Sequence, residues 1–382
     1  MKLTELRALK ELKEPTEPRE VMEPLQQAAG AVWTHEHYDH LVASYGDVDG
    51  ERQAARETGG IIDLSHRGRI RFTGQDRQTF LQGMLSNDVR LATTGLGIFA
   101  TVLDPKGRML YDLTLYGFEE SLVMDVDPDV AVSLAKHLNR FHIREKVRFE
   151  VEDGLGVTIG VAGPNALQTI ADLLGAPAPL PAPYSCAVHE WNGGSLELLR
   201  RDFTGDPGLL LRVETEAGPD LWRQLLDAGF TPFGLEALEA LRIEAGIPLT
   251  DVDMDATTIP LEAGLSHGVN RDKGCYVGQE VIERILSRGH TNRRLVPLRF
   301  EGIDAPVLPG ALYLDEKEVG RFTSAVYSPA LGDCVGLGYV RNAVRTPGTL
   351  LDVESISCIT TAEVLAAPLF GSGQPPSIRN DE

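Results

Sequence analysis

Between residues 68 and 117, hydrophobic and polar residues follow a pattern that predicts strands interrupted by one short helix. The segment "GRIRFTG" (68–74) alternates as a half-buried strand does. Asp76 is a candidate N-cap for the helix that follows. Two further strands are predicted at "IFATVLD" (98–104) and "MLYDLTLYG" (109–117), joined by a turn at "DPKG".

A comparable order returns downstream and predicts a second unit of mixed structure. The segment "VTIGVAG" (157–163) is a predicted strand, and the helix over 164–175 begins with Pro164 and stops at Gly175. Three more predicted strands, "AVHEW", "SLELLRR" and "GLLLRVE", precede a helix at "PDLWRQLLDAG". This β-α-β-β-α-like succession is typical of a ferredoxin-like unit.

From residue 295 onward the pattern changes to short strands separated by Gly and Pro. That spacing predicts a small antiparallel barrel or sandwich. The polar segment "GSGQPPSIRNDE" (371–382) predicts a disordered tail. The predicted fold class is therefore α+β, with two α+β units followed by a β domain.

Composition and charge narrow the classes of protein. The 382 residues predict two or three domains, and a 42% hydrophobic content supports buried cores. No apolar run approaches the roughly 20 residues of a membrane helix, and the N-terminus lacks the apolar region of a secretory signal. A net charge of −20 argues against general nucleic-acid binding. Four separated cysteines without a C-x-x-C pair predict a reducing, cytoplasmic location.

The segment "THEHYDHL" (34–41) resembles the H-x-H-x-D-H zinc signature of the metallo-β-lactamase superfamily. Such a site needs a preceding rigid element and further ligands from later in the chain. The preceding "QQAAGAVW" has only two bulky apolar positions, and the later histidines form no second motif. Because a motif outside its structural context is weak evidence, we expect a polar loop and no metal site.

The segment "KGCYVGQE" (273–280) concentrates more chemistry. Two glycines flank Cys275 and permit a tight backbone path, and a helix is predicted from Gln279 to 287 or 288, with Gly289 as its stop. Cys275 would then lie just before a helix N-terminus, where the helix dipole favours a thiolate. The alternative is an inert, small apolar side chain.

The region around this motif is basic although the whole chain is acidic. Residues 271–299 contain seven Lys or Arg and three acids, a net charge of +4. Such a strip can steer a small anionic ligand towards a cleft. The alternative is a solvated helix face with internal ion pairs.

"KGCYVGQE" and the arginine-rich stretch after it resemble the motif of the YgfZ family. These are folate-binding proteins linked to iron–sulfur cluster proteins, within the superfamily of the glycine-cleavage T-protein, the aminomethyltransferase. The resemblance covers roughly residues 45 to 370. The other segments similar to superfamily blocks are 59–89, "LDPKGRMLYDLTLYG", "RRDFTGDPGLLLRV", "GLEALEALRIEAGIP" and "FTSAVYSPALGDCVGLGYV".

The resemblance implies three domains in a ring around a central tetrahydrofolate site. The expected divisions are an N-terminal extension (1–45), a folate-binding α+β unit (46–150), a ferredoxin-like unit (151–235), a return to the folate-binding domain (236–292), a C-terminal antiparallel β-barrel (293–370) and the tail (371–382).

The resemblance also implies site residues. Asp112 and Tyr111 occupy the positions of two neighbouring superfamily aspartates, and which position carries the role stays open. Asp206 replaces a glutamate that holds the pterin, while Leu238 replaces an arginine. The candidate folate contacts are Asn87, Tyr111, Asp112, Asp206, Arg242, Glu262 and Arg284; the candidate catalytic residues are Asp112 and Cys275.

The residue types suit a reduced folate. A carboxylate such as Asp206 can accept bidentately from the pterin edge, and one near N5 and N10, such as Asp112, can bind or move a proton. The anionic glutamate tail favours Arg284, Arg288 or Arg293. Each acid has an alternative role: Asp112 as a buried structural acid, Asp206 as a turn former, and Glu262 as a charge at a helix N-terminus.

Two functions are weighed. The first is a tetrahydrofolate-binding accessory protein for assembly or repair of iron–sulfur proteins, which would be its candidate partners. The second is a folate-dependent aminomethyltransferase of the T-protein type. The departures at 111, 206 and 238, together with Cys275, favour the first. The residues leave open whether the chain turns over a substrate.

Overall fold

The computed structural model describes residues 17–34, 41–152, 154–175, 180, 182–302, 304–354, 359–367 and 369. Within them the chain forms two stacked mixed units and a closed barrel. The helices are α1 Pro18–Ala28, α2 Val48–Glu57, α3 Arg77–Gln82, α4 Val130–Asn139, α5 Ala166–Leu174, α6 Gly218–Asp227, α7 Leu235–Glu244 and α8 Gln279–Arg288. A two-stranded ribbon pairs β1 Val32–Trp33 with β2 Val42–Ser44.

The first large sheet has five strands, in the order β5-β6-β7-β4-β8. They are β4 Gly68–Thr73, β5 Gly97–Leu103, β6 Met109–Gly117, β7 Leu122–Val126 and β8 Arg148–Val151. Alternate side chains of β6, including Leu113 and Leu115, lie in a core that also contains Leu134 of α4. The intervening positions face the other sheet, where the Tyr116 hydroxyl donates to the Arg200 carbonyl at 3.1 Å.

The second large sheet has six strands, in the order β10-β11-β12-β9-β3-β13. They are β3 Gly60–Asp63, β9 Val157–Ala162, β10 Cys186–Trp191, β11 Gly194–Arg200, β12 Gly208–Val213 and β13 Thr231–Pro232. Its core contains Ile170 of α5, Trp222 of α6 and Met22 of α1. Residues 18–28, expected to belong to an extension, are therefore packed into this unit.

Strand β3 corrects the expected division at 150/151. It lies within the span assigned to the first unit, yet it pairs antiparallel with β9 and parallel with β13 of the second sheet. The apolar run Ile61–Ile62 explains this, because its side chains are buried on both faces of that sheet. The two units are thus interleaved along the chain.

Charged side chains join the two sheets. Arg69 and Arg71 of β4 each form ion pairs with Glu152 and with Glu197 of β11. Because these pairs satisfy one another and are largely shielded from water, they tie the layers in a fixed orientation.

The C-terminal strands close into an antiparallel barrel in the order β14-β17-β16-β15-β18-β19, which confirms the predicted α+β class with a C-terminal barrel. The strands are β14 Arg293–Phe300, β15 Gly310–Leu314, β16 Lys317–Ser328, β17 Asp333–Arg341, β18 Leu350–Glu354 and β19 Ile359–Val364. The barrel core includes Leu298, Phe300 and Phe322, all buried.

Several local predictions are confirmed, and one differs. Helix α8 begins at Gln279, and Gly289 ends it with a φ of 85°, a left-handed conformation that suits glycine. Asp76 precedes α3, but its carboxylate accepts from the Lys146 backbone N–H at 2.7 Å and makes no capping bond. The cap is lost because this contact with the β8 side of the sheet holds the carboxylate elsewhere.

Three further expectations concern membrane spans, the segment "THEHYDHL" with the tail, and metal sites. The described helices include none long and apolar enough to cross a membrane. Residues 35–40 of "THEHYDHL" and the tail 371–382 lie outside the described residues. Across the described ranges, no cluster of three or more His, Cys, Asp or Glu side chains has the arrangement of a metal site.

Candidate functional site

Asp112, the candidate catalytic acid, lies on the face of β6 that contacts the loop of Thr250. We call the space on this side of β6 the gap. Asp112 lies half-buried on β6, on the face opposite the core of the first unit. The Thr250 hydroxyl donates to its Oδ1 at 2.6 Å. No other hydrogen bond to this carboxylate comes from the described residues. Its Oδ2 is therefore available to a ligand that enters the gap.

The surroundings of Asp112 favour a carboxyl group that titrates near neutrality. Burial, and then the negative charge of Asp127, raise its pKa to about 6. The hydrogen bond from Thr250 and the charges of Arg201 and Arg67 oppose that rise. A carboxyl with this pKa exists in both protonation states around pH 6 to 7, which suits a group that takes or donates a proton.

Tyr111 points away from Asp112. Its ring packs against the core of the first unit and makes an edge contact with His137 of α4, with 5.9 Å between the ring centroids. Neighbouring residues on a strand face opposite sides of a sheet, so only one of the two can face the gap. The contact geometry favours Asp112 for that role, while the match to the superfamily aspartate stays a prediction.

Asp206 lies in the turn before β12 and is almost fully buried. Its Oδ2 accepts from Arg56 Nη1 at 3.1 Å, and Arg56 also pairs with Glu244 at 2.8 Å. A carboxylate can accept from several donors, and a pterin would be a donor in addition to those that Asp206 already has. That contact stays a prediction.

Arg242 is buried on α7 and joins three parts of the chain. It pairs with Glu239, with Asp253 at 2.6 Å and with the Ser324 hydroxyl at 2.9 Å, and it also donates to the Ile247 carbonyl. These bonds use all five guanidinium N–H groups. The structure therefore places Arg242 in a clamp between α7 and the barrel, where a folate contact would require one of these bonds to be exchanged.

Glu262 is buried beside the first strand of the barrel, and it lies in a turn rather than at a helix N-terminus. Its Oε2 accepts from Arg293 Nε at 2.8 Å, and the Arg293 guanidinium lies 4.8 Å from the centre of the Tyr339 ring. Two candidate residues are thus paired with each other.

Asn87 joins strand β5 to the turn that carries His267. Its Nδ2 donates to the Phe99 carbonyl at 2.8 Å and to the His267 carbonyl at 3.1 Å. The rings of Phe99 and His267 stack at 4.8 Å, and the Tyr184 ring lies parallel to that of His267. The side-chain amide donors of Asn87 are therefore used to build an aromatic cluster beside β5.

The buried Lys273 holds the "KGCYVGQE" segment against the end of α3. Lys273 Nζ donates to the Gln82 carbonyl at 2.6 Å and to the Leu85 carbonyl, at the C-terminal side of α3. Burial lowers the Lys273 pKa to about 8. Cys275 follows and is exposed, whereas Cys186 and Cys334 are buried.

Arg284 is exposed on α8, and the described residues form no ion pair with it. It lies on the same segment as Cys275. The structure therefore places these candidates in five separate locations. They are Asp112 in the gap, Asp206 and Arg242 near α7, Glu262 with Arg293, Cys275 with Arg284, and Asn87 in the aromatic cluster beside β5.

Thr250, Asp127, Arg201 and Arg67 surround Asp112 and were not singled out from the sequence. The pairing of β6 with β7 gives a partial signal for Asp127. Thr114 lies opposite Asp125, and the same antiparallel register continued by two residues brings Asp112 beside Asp127. The contact with Thr250 spans 138 residues, so local pattern could not reveal it.

Comparisons with known proteins agree with this architecture. The family described as the GCVT N-terminal domain matches residues 22–273, and the glycine cleavage T-protein C-terminal barrel domain matches 293–370.

Curated relatives include the aminomethyltransferases of Rippkaea orientalis, 31% identical over 87% of this chain and 92% of the relative, and of Saccharopolyspora erythraea, 30% identical over 91% and 97%. The crystal structure of glycine cleavage system aminomethyltransferase T from Bartonella henselae superposes with a TM-score of 0.84 at 22% identity. The superposition covers 92% of this chain and 98% of the Bartonella henselae chain, and it shows that the two chains share a fold.

Proposed function

Because the chain belongs to the GCVT family, as its N-terminal and barrel domains both show, we propose that it binds tetrahydrofolate in the gap beside Asp112 and supports one-carbon transfer. The observation that carries this proposal is Asp112 itself. It is a half-buried carboxylate, held by Thr250 at 2.6 Å, with a pKa of about 6.

The side chains around Asp112 fit a reduced folate. Its Oδ2 can accept from an N–H of the pterin or hold a proton that leaves one of the reactive nitrogens. The charges of Arg67 and Arg201 stabilise the ionised form once the proton has moved on. Asp206 is the proposed acceptor for the pterin edge, beside Arg56.

The first candidate reaction is aminomethyl transfer, as the names of the relatives suggest. A carrier protein would deliver a methylene group bound to sulfur and to an amine. The methylene carbon would form bonds to two folate nitrogens, its bonds to sulfur and amine would break, and ammonia and the free carrier thiol would leave. Asp112 would hold one of the protons released from the folate nitrogens.

The second candidate is a folate-binding accessory protein for iron–sulfur enzymes. It is favoured by the exposure of Cys275 within "KGCYVGQE" and by the departures Tyr111 and Leu238. In this case folate would be bound without release of ammonia. Cys275 would face solvent, where a partner protein can reach it.

One measurement tests the folate binding that the two candidates share, and a second one separates them. Isothermal titration with tetrahydrofolate tests the shared proposal: we expect binding in the micromolar range, weakened about tenfold or more in Asp112→Asn. Absence of heat with any reduced folate would overturn it. An assay of 5,10-methylenetetrahydrofolate and ammonia with the aminomethyl-loaded glycine-cleavage H-protein then decides the reaction. Turnover supports the first candidate, and binding without turnover supports the second.

A further inference from the structure

The end of α4 and the turn after it form a basic surface on an acidic protein. Residues 136–148 contain five Lys or Arg and one acid, a net charge of +4 in a chain of −20. All five of these cationic side chains are exposed. We call this region the α4 patch; its defining side chains are Val132, Lys136, Arg140, Phe141, Ile143 and Arg144.

The α4 patch also carries apolar side chains in contact with water. Ile143 is 85% exposed, Val132 47% and Phe141 40%. Isolated exposed apolar residues are ordinary on a protein surface. Here three of them lie within twelve residues and are interspersed with cations, an arrangement typical of an interface with an apolar centre and a charged rim.

The turn that carries Ile143 is held by its own hydrogen bonds. Glu145 Oε2 accepts from the backbone N–H groups of Ile143 and Arg144, both at 3.0 Å. A ring nitrogen of His142 bonds to the Glu145 carbonyl at 2.9 Å. The Glu145 carboxylate is thus bonded to the backbone of its own turn, and the apolar tip is presented on a preorganised turn, which lowers the entropy cost of binding.

We propose that the α4 patch docks an acidic surface of another protein. Charge complementarity selects the partner: an acidic surface gains from the exposed cations, and an apolar group at its centre would cover Ile143. A symmetric dimer of this chain would place the patch against itself and oppose like charges. Residues 1–16 contain four cations and three acids, so they lack the charge to be the occupant.

Nucleic acid is the competing occupant, since phosphates also bind Lys and Arg. Two features favour a protein. The net charge of −20 repels a polyanion beyond the small basic area. Ile143 and Val132 are aliphatic, so Phe141 is the one aromatic side chain among these three exposed apolar residues, and its ring already contacts that of His137.

The α4 patch lies on the other side of the first sheet from Asp112. Phe141 contacts the His137 ring at 5.4 Å, and His137 contacts Tyr111, the neighbour of Asp112 on β6. Tyr111 and Asp112 face opposite sides of the strand. A protein docked on the patch would therefore leave the proposed folate gap open, and the inference does not depend on folate being bound there.

Fluorescence anisotropy with a labelled probe tests the proposal. The probe is a helical peptide of about 20 residues with Glu on one face and Leu on the other. A single-stranded RNA of about 20 nucleotides is the second probe. Two patch variants are compared with the native chain: Ile143→Ser, and the pair Arg140→Glu with Arg144→Glu. Their matched controls are Val307→Ser, at a site 56% exposed, and the pair Arg19→Glu with Arg223→Glu, whose side chains are 54% and 56% exposed.

We expect the peptide to bind, and each patch variant to weaken it about tenfold while the controls change it less than about twofold. Raising the salt concentration should weaken the native complex as well. The proposal is overturned if the peptide does not bind, if patch and control variants weaken it equally, or if the RNA binds more tightly than the peptide through the same residues. Circular dichroism of each variant confirms that it is folded, which these exposed positions permit.

Discussion

Thr250 donates its hydroxyl hydrogen to Asp112 Oδ1 at 2.6 Å, across 138 residues of sequence. The loop that carries Thr250 is itself fixed, because the backbone N–H of Leu249 donates to Asp253 Oδ2 at 3.0 Å. Asp253 also accepts from Thr323 and Ser324 of the barrel, at 2.5 and 2.6 Å. The barrel therefore positions the carboxyl group of Asp112 through three successive hydrogen bonds, the last two joined by the peptide link from Leu249 to Thr250.

Replacing Thr250 by Val should raise the pKa of Asp112, because the hydroxyl stabilises the ionised carboxylate. We expect the pH profile of tetrahydrofolate binding, with a midpoint near 6 in the native chain, to move upward by about half a pH unit or more. Titrations from pH 5 to 8 measure it. Thr257→Val is the control, since its exposed hydroxyl bonds to Asp255; an equal shift in both variants would contradict a positioning role.

Replacing Asp112 by Asn should change how stability depends on pH. The folded pKa of about 6 exceeds the ordinary 3.8, so between these values the folded state binds more protons. The contribution of Asp112 to the free energy of unfolding is therefore fully present below about pH 4 and is lost as the pH rises through 6. The free energy of unfolding of Asp112→Asn, relative to that of the native chain, should therefore rise by at most about 3 kcal/mol between pH 4 and pH 7. Urea unfolding at each pH measures this difference.

Asp304→Asn, at an exposed acid, serves as the comparison for that experiment. A difference between native chain and Asp112→Asn that stays constant from pH 4 to 7 would show that the Asp112 pKa is ordinary in the folded protein.

Replacing Asp253 by Ala should destabilise the fold strongly. Its side chain is fully buried, pairs with Arg242 at 2.6 Å and accepts from the Thr323 and Ser324 hydroxyls. Its removal therefore takes away the buried carboxylate partner of Arg242 and the acceptor of two buried hydroxyls. The expected loss is about 3 to 5 kcal/mol in the free energy of unfolding. Asp352→Ala, at an exposed position of β18, should cost little. Equal losses in the two variants would count against the clamp.

Replacing Lys273 by Met should loosen the segment around Cys275, because two carbonyls near the end of α3 lose their ammonium donor. We expect amide exchange over 273–278 to accelerate about tenfold, measured by mass spectrometry. Lys317→Met, at an exposed site, is the control. Unchanged exchange in Lys273→Met would show that the segment is held by other contacts.

Thiol accessibility gives an independent check on the same region. Mass-spectrometric mapping after brief treatment with a thiol reagent should show Cys275 modified in the native protein and Cys186 and Cys334 protected, because the first is exposed and the other two are buried. Rapid modification of Cys186 in folded protein would contradict the packing of β10.

Local pattern predicted the elements well and the side-chain partners poorly. Strand β6 was predicted at its observed bounds, 109–117, because apolar alternation and the turn before it are local. The bond between Arg242 and Ser324, 82 residues away, could not be predicted from local pattern, while the contact of Arg242 with folate stays a prediction. Strand β3 joined the second sheet for the same reason, since partners across more than about 80 residues are chosen by tertiary packing.

The family comparisons support the T-protein superfamily and match relatives named aminomethyltransferase more directly than the YgfZ family. The sequence departures at 111 and 238 remain the basis for the accessory function. Asp112 would serve in either function, so the assay for methylenetetrahydrofolate, and not the Asp112 variant, decides between them.

During synthesis on the ribosome, Ile61 and Ile62 emerge well before any strand that will flank them. The strand on one side, Val157–Ala162, follows almost a hundred residues later, and the one on the other, Thr231–Pro232, later still. An N-terminal fragment ending near 150 would expose this apolar ribbon to the solvent and to other chains. We therefore expect the growing polypeptide to keep these two side chains in transient contacts, or against a chaperone, until its central third has been made.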